Sequence, residues 1–321
     1  MTSLPDDYAA PGPLPHAYRA EFCYTPAPLV EKLTLIKEKR AYDVYEAEIH
    51  ANTDGLDAES PITFEYYQQT ADTPSAVLLL MPILNGQKHL MRPFAKHFAR
   101  EGYAVVIIDT VQRRTLLDDL TNPEPAIRQV IQRHRRVIDW AQSRPELDVS
   151  RLGVFGASLG GFNALYLAAV DARINAAAIA LVGGSLSQVL VNSNERRIVE
   201  AVTAVQQDLA LDDEQFIQYL DTRIESDPLM VARHVNAERL HMTLAKRDKA
   251  VPYSNQLELY EAMGQPESIT LPTGHVTAAA YIFYLRSSVL KFFNRKLAAG
   301  MGARTAIIES GSRPESPCEN R

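Results

Sequence analysis

Five nearly unbroken apolar runs limit what this chain can become: Ala76 to Met81, Ala104 to Asp109, Arg151 to Phe155, Ile174 to Val182 and Leu240 to Ala245. Runs this short without alternation are expected of strands covered on both faces. Helical spacing lies between them. Phe94, His97 and Phe98 mark a helix over Pro93 to Arg100, with Gly102 as its stop. Asn122-Pro123-Glu124 opens a longer helix whose stripe is Ile127, Val130, Ile131, Ile138 and Ala141. His134 falls on that stripe and is expected to be an interior residue with satisfied hydrogen bonds, whereas Arg133, Arg135 and Arg136 are expected on the solvated face. Strand and helix alternating in this way predict an α/β architecture: a mostly parallel central sheet, helices on both faces, right-handed crossovers.

The flanks depart from this rhythm. Residues 1–40 are read as a proline-rich arm, extended over the surface for its first thirty positions. Ala41 to His50 and Pro61 to Gln69 alternate in polarity around Asn52-Thr53-Asp54-Gly55, predicting an antiparallel hairpin that opens the sheet. The core is expected over 41–184 and 240–298. Between its two parts, residues 185–239 carry helical patterns only, with Asp212 and Gln215 spaced as a capping pair. A helical cap or lid at the strand ends is the expectation there. Residues 299–321 are Gly, Ser, Pro and charge, and are expected to be a disordered tail.

The third run carries the chemistry. It enters Gly156-Ala157-Ser158-Leu159-Gly160, and Leu159 to Ala169 has the apolar density of a buried helix. A strand that turns into a helix within so few residues forces its central residue into a strained conformation, which flanking glycines permit. The Ser158 hydroxyl is thereby presented at the tip of the turn, over helix N–H groups that favour developing negative charge. Ser158 is the candidate nucleophile.

A serine needs a base, and a histidine base needs a carboxylate to hold its tautomer. In a parallel sheet the groups that can converge on Ser158 lie just past the C-terminal ends of neighbouring strands. Two downstream loops qualify. Asp248 follows the Leu240 to Ala245 run, and His275 follows a short strand over Ser268 to Leu271. Asp248 sits among Lys246, Arg247 and Lys249, so its alternative is a surface ion pair. Asp221 and Asp227 lie in the helical insertion and are poorer candidates, and His241 opens a strand as a structural residue.

With Gly156-Ala157-Ser158-Leu159-Gly160, then Asp248 with Val251-Pro252 behind it, then Gly274-His275 before a last helix, the chain from Ala41 to Leu297 resembles an α/β-hydrolase of the esterase and dienelactone-hydrolase type. The resemblance implies the α/β-hydrolase fold and a catalytic triad of Ser158, Asp248 and His275. It also implies an oxyanion hole built from the backbone N–H of Leu159 and of Ile83, or Leu84 in its place. The chain has Met81-Pro82 where His-Gly is common in the family. The expected reaction is cleavage of a carboxylic ester through an acyl-enzyme. Thioester, amide or lyase chemistry on the same triad are alternatives, as is a catalytically silent binding protein of this fold.

Composition narrows the partners. A net charge of -6 argues against nucleic acid. A small-molecule ester, partly hydrophobic to suit the helical insertion, is expected instead. There is no metal-ligand spacing, dinucleotide fingerprint or phosphate loop, so no cofactor is expected. Cys23 and Cys318 suggest no disulfide framework. No apolar run reaches the roughly 18 residues of a membrane span and no secretory signal is evident, which makes a cytoplasmic location the default expectation. The oligomeric state is left open.

Overall fold

The computed structural model describes residues 4–5, 8–24, 29–50, 61–84, 88–109 and 115–298. The turn Asn52 to Gly55 and the tail beyond 298 lie outside the described residues. Among the described residues, nine strands form one sheet: β1 (Val30–Lys37), β2 (Tyr42–His50), β3 (Ile62–Gln69), β4 (Ser75–Met81), β5 (Ala104–Ile108), β6 (Leu147–Ala157), β7 (Ile174–Ala180), β8 (Leu240–Ala245) and β9 (Glu267–Leu271). Their spatial order is β1-β2-β3-β5-β4-β6-β7-β8-β9. The first three strands are antiparallel neighbours, β3 is antiparallel to β5, and from β5 to β9 every pairing is parallel.

The helices are α1 (His16–Ala20), α2 (Lys88–Arg100), α3 (Glu124–Ser143), α4 (Leu159–Val170), α5 (Leu186–Asn192), α6 (Arg196–Leu209), α7 (Asp213–Asp221), α8 (Pro228–Ala232), α9 (Tyr253–Ala262) and α10 (Ile282–Ala298). They explain the unbroken apolar runs. Along β4, Val77, Leu79 and Met81 join a core with Ile131, Ile138, Leu165 and Leu167 of α3 and α4. Leu78 and Leu80 point to the opposite face, where Phe94 and Phe98 of α2 and Phe292 and Phe293 of α10 cover them. A strand buried on both sides has no reason to alternate. Among the described residues, no helix is long and apolar enough to cross a membrane.

The arm is more than an extended cover. It contains α1, it anchors Phe22 against Tyr166 at 5.6 Å, and its end becomes edge strand β1. Phe22 is 1% exposed. Edge strand β1 is open on both faces, so its sequence lacked the apolar signal that marks the inner strands.

The expected solvated face of α3 is corrected by the structure. Arg135 and Arg136 are buried. Arg135 donates to Asp171 at 3.1 Å and to the Phe22 carbonyl at 2.8 Å, and Arg136 donates to Asp139 at 2.7 Å. Arg133, half-buried, donates to the Pro61 carbonyl at 2.8 Å. The arm and the α4–β7 turn cover this side of the helix and supply acceptors, which composition along α3 could not reveal. His134 is interior as expected, yet its Nδ1 meets no partner among the described residues.

Candidate active site

Ser158 sits between β6 and α4 with φ 53° and ψ -125°, outside the ordinary regions for a residue with a side chain. Such a conformation costs about 1–3 kcal/mol and persists only where the surroundings impose it. Here they do. Its N–H donates to the Ala180 carbonyl of β7 at 2.8 Å, and its carbonyl accepts from Phe162 in the first turn of α4. The flanking glycines are required by close approach: a Cβ on Gly156 would lie 2.0 Å from the Gly160 carbonyl oxygen, and one on Gly160 would lie 2.1 Å from that of Met81. The C-terminal end of β4 therefore packs directly beneath the turn. Leu181 and Ser185 also have positive φ, so the strain gathers around one place.

That place is an apolar cavity of about 590 Å³, counting its open mouth. Ser158 lies on its wall with Leu159, Leu181 and Val251, and α5 and α6 contribute Leu186, Val189, Leu190 and Ile198. The helices between β7 and β8 thus supply much of the lining. Asp227 ties them down: its carboxylate accepts from the backbone N–H of Ser185 and of Leu229, which caps α8. Burial pushes the Asp227 carboxyl above its usual range, against those hydrogen bonds. The capping box at Asp212 and Gln215 forms as their spacing predicts. Leu84 lines the cavity, whereas the Ile83 side chain packs against the core under α2 and α10.

Asp248 and His275 meet. The loops after β8 and β9 are stitched together where Lys246 N–H donates to the Leu271 carbonyl and Arg247 N–H to the Thr273 carbonyl, both at 2.9 Å. This brings His275 Nδ1–H to Asp248 Oδ2 at 2.7 Å. The Asp248 side chain is fully buried and that of His275 is 17% exposed. The surface ion pair is not formed: Lys246, Arg247 and Lys249 are exposed while the carboxylate turns inward. Asp248 Oδ1 accepts from Ala250 N–H at 2.9 Å and Val251 N–H at 3.0 Å, and Oδ2 also accepts from Gln256 Nε2 at 3.0 Å. A carboxylate at His Nδ1 fixes the proton there and leaves Nε2 with a free lone pair. Val251 connects the two halves of the site, since its N–H holds Asp248 and its side chain lines the cavity of Ser158.

Gln256 escaped the sequence reading. It is fully buried, accepts from Ala245 N–H at 3.0 Å, and donates to both Asp248 and the Val251 carbonyl. A glutamine four residues into a helix ordinarily faces water, and nothing local distinguishes this one. His241, by contrast, is the structural residue expected: fully buried, beside Phe292 at 5.6 Å, with neither ring nitrogen partnered among the described residues.

A mostly parallel sheet with helices around it, and a strand-to-helix turn carrying a strained serine at the strand ends, define an α/β-hydrolase fold. The dienelactone hydrolase family model matches residues 64–242, more than half of the chain. The chain belongs to the dienelactone hydrolase family, which supports an ester-cleaving hydrolase. Among solved structures it is similar to acetyl xylan esterase 1 from Thermoanaerobacterium sp. JW/SL YS485, with a TM-score of 0.65 and 16% identity over 89% of this chain and 96% of that one. It is also similar to the acetyl xylan esterase from Paenibacillus sp. R4, at TM-score 0.63 and 18% identity over 85% and 92% of the two chains. At these identities the likeness is one of fold. The quorum-quenching protein AidA of Acinetobacter baumannii (strain MDR-ZJ06) is 28% identical over 118 residues, 34% of this chain. That match spans 36% of AidA, about a third of its length.

Proposed function

We propose that the chain is a serine esterase in which Ser158 is the nucleophile, His275 the general base and acid, and Asp248 the carboxylate that orients His275. The observation that carries this reading is the buried Asp248–His275 hydrogen bond, on the strand ends that also hold a strained serine at the wall of an apolar cavity. Ser158 Oγ attacks the ester carbonyl carbon while His275 Nε2 takes its proton. The carbonyl π electrons move onto oxygen, where the N–H of Leu159 and that of Ile83 or Leu84 stabilise the charge. Leu159 is the first residue of α4, and such a position has no intrahelical acceptor for its N–H. Collapse of the tetrahedral species expels the alkoxide, which leaves as an alcohol with the proton from His275. Water, deprotonated by His275, then attacks the acyl-enzyme, and the acid leaves as Ser158 recovers its proton.

The cavity suggests the substrate class: an uncharged ester with an aliphatic acyl group lying against Leu186, Val189, Leu190 and Ile198. The helices α5 to α8 act in this reading as its cap. Each methylene buried is worth about 0.8 kcal/mol, so kcat/KM should rise roughly fourfold per added carbon until the cavity is full. Turnover of p-nitrophenyl esters from acetate to dodecanoate tests this. A rise from acetate followed by a decline is the expected profile. A flat profile, or preference for small charged acyl groups, contradicts the substrate assignment.

A further inference from the structure

A second cavity, of about 840 Å³ counting its open mouth, lies at the opposite end of the sheet. It is bounded by the last turn of α4, the first residues of β7, the segment leading into β8, and the arm from Pro13 to Arg19. Ser158 precedes the other end of α4, and twelve helical residues at about 1.5 Å each separate the two places by roughly 18 Å. The arm is fastened as one wall. Tyr8 Oη–H donates to Asn236 Oδ1 at 3.1 Å and Oη accepts from Ala237 N–H at 2.7 Å, while His234 Nδ1–H donates to the Gly12 carbonyl at 3.2 Å.

The polar lining of this cavity is rich in donors and poor in acceptors. Arg19 and Arg239 both line it, and neither pairs with a carboxylate among the described residues. Arg19 Nε is enclosed and meets no acceptor there. Arg92, Arg128, Arg144 and Arg173 have carboxylate partners, whereas Arg19 and Arg239, which have none among the described residues, share one cavity in a chain of net charge -6. Asn175 and Asn236 complete the pattern. The Oδ1 of Asn175 is occupied by Leu152 N–H at 2.9 Å, and that of Asn236 by Tyr8 and by Glu238 N–H at 2.9 Å, which leaves both amide NH₂ groups. Among the described residues, no Asp or Glu lines the cavity. Asp171, just behind the end of α4, is already held by Arg135 and Arg173.

We infer that this cavity binds an aliphatic oxyanion. Its carboxylate or phosphate monoester head lies between the guanidiniums of Arg19 and Arg239, and its tail lies against Leu14, Val170, Ile174 and Val235. The site stands apart from Ser158 and does not depend on its chemistry. The arm, whose purpose the sequence left open, is in this account one wall of a binding site.

Calorimetric titration of the full chain with octanoate, octyl phosphate and octanol tests the inference. At least one of the two anions should bind at least tenfold tighter than octanol, and the tighter one identifies the head group. Arg239 is solvent-exposed, so Arg239→Glu should leave the thermal melt unchanged and weaken anion binding at least tenfold. Arg19→Gln/Arg239→Gln should do the same. Anion affinity unchanged in Arg239→Glu, octanol binding as tightly as both anions, or no binding of either anion to the wild type would overturn the site.

Discussion

Two buried carboxylates in this molecule are treated in opposite ways. Asp171, at the end of α4, is gripped by cations: Arg135 at 3.1 Å and Arg173 at 2.7 Å, with Arg173 also bridging to Asp139. Burial alone would raise its pKa, but hydrogen bonds and charge from Arg173 and Arg135 hold the carboxyl below the usual range. Asp248 is as deeply buried and, among the described residues, has no arginine or lysine partner. Its donors are two backbone N–H groups, the Gln256 amide and the His275 imidazole. A carboxylate neutralised by arginines has little attraction left for another cation. One held by neutral donors keeps its charge available for an imidazolium that exists only during reaction. The first arrangement holds the arm, α3 and β7 together; the second suits the role proposed for Asp248.

Substitution should separate the two. Asp248→Asn leaves the shape but lets His275 settle in the wrong tautomer, and kcat should fall about 10³–10⁴-fold with the protein still folded. Asp171→Asn should do the reverse. It strands Arg135, and unfolding free energy by denaturant titration should drop about 3–5 kcal/mol with turnover of the folded enzyme unchanged. A large loss of activity in Asp171→Asn, or none in Asp248→Asn, breaks the distinction.

Gln256 sharpens it. Gln256→Leu removes a hydrogen bond to a charged group worth about 1.5–3 kcal/mol, which should lower kcat about tenfold to a hundredfold and leave KM unchanged. A change confined to stability would make Gln256 a packing residue.

A further effect concerns two buried histidines. Burial pushes His134 down to about 3 and His241 to about 4. Their unfolded value is about 6.5, so between those limits the unfolded chain binds protons that the folded chain does not. The stability they contribute is complete above pH about 6.5 and is lost as pH falls through the folded values, by up to about 1.4 kcal/mol per pH unit for each. The slope of unfolding free energy between pH 6.5 and 4.5 should therefore be shallower in His241→Phe than in the wild type. An unchanged slope would show that His241 is not part of the acid response.

The contrast between the carboxylates also shows what a sequence can and cannot disclose. The inner strands were legible because burial on both faces leaves an unbroken apolar run, and the turn at Ser158 because its glycines are required within five residues of chain. Asp248 and His275 could be placed because parallel strands send their following loops to one edge. Arg135 and Arg136 were misplaced because their partners, Asp171, Phe22 and Asp139, belong partly to segments that fold back over α3 from distant positions. Gln256 and the guanidinium pair at the far cavity were invisible for the same reason. Side chains whose meaning depends on a contact across the fold carry no periodic signal.

The central claim is that Ser158 is an activated nucleophile. Its most direct test is labelling of the folded protein with a fluorophosphonate, read by intact mass and peptide mapping beside Ser158→Ala. One adduct on Ser158, absent from the variant and slowed at least a hundredfold in Asp248→Asn, is the predicted result. Labelling at another residue, or no labelling of a protein that binds an ester in the cavity, would contradict the assignment.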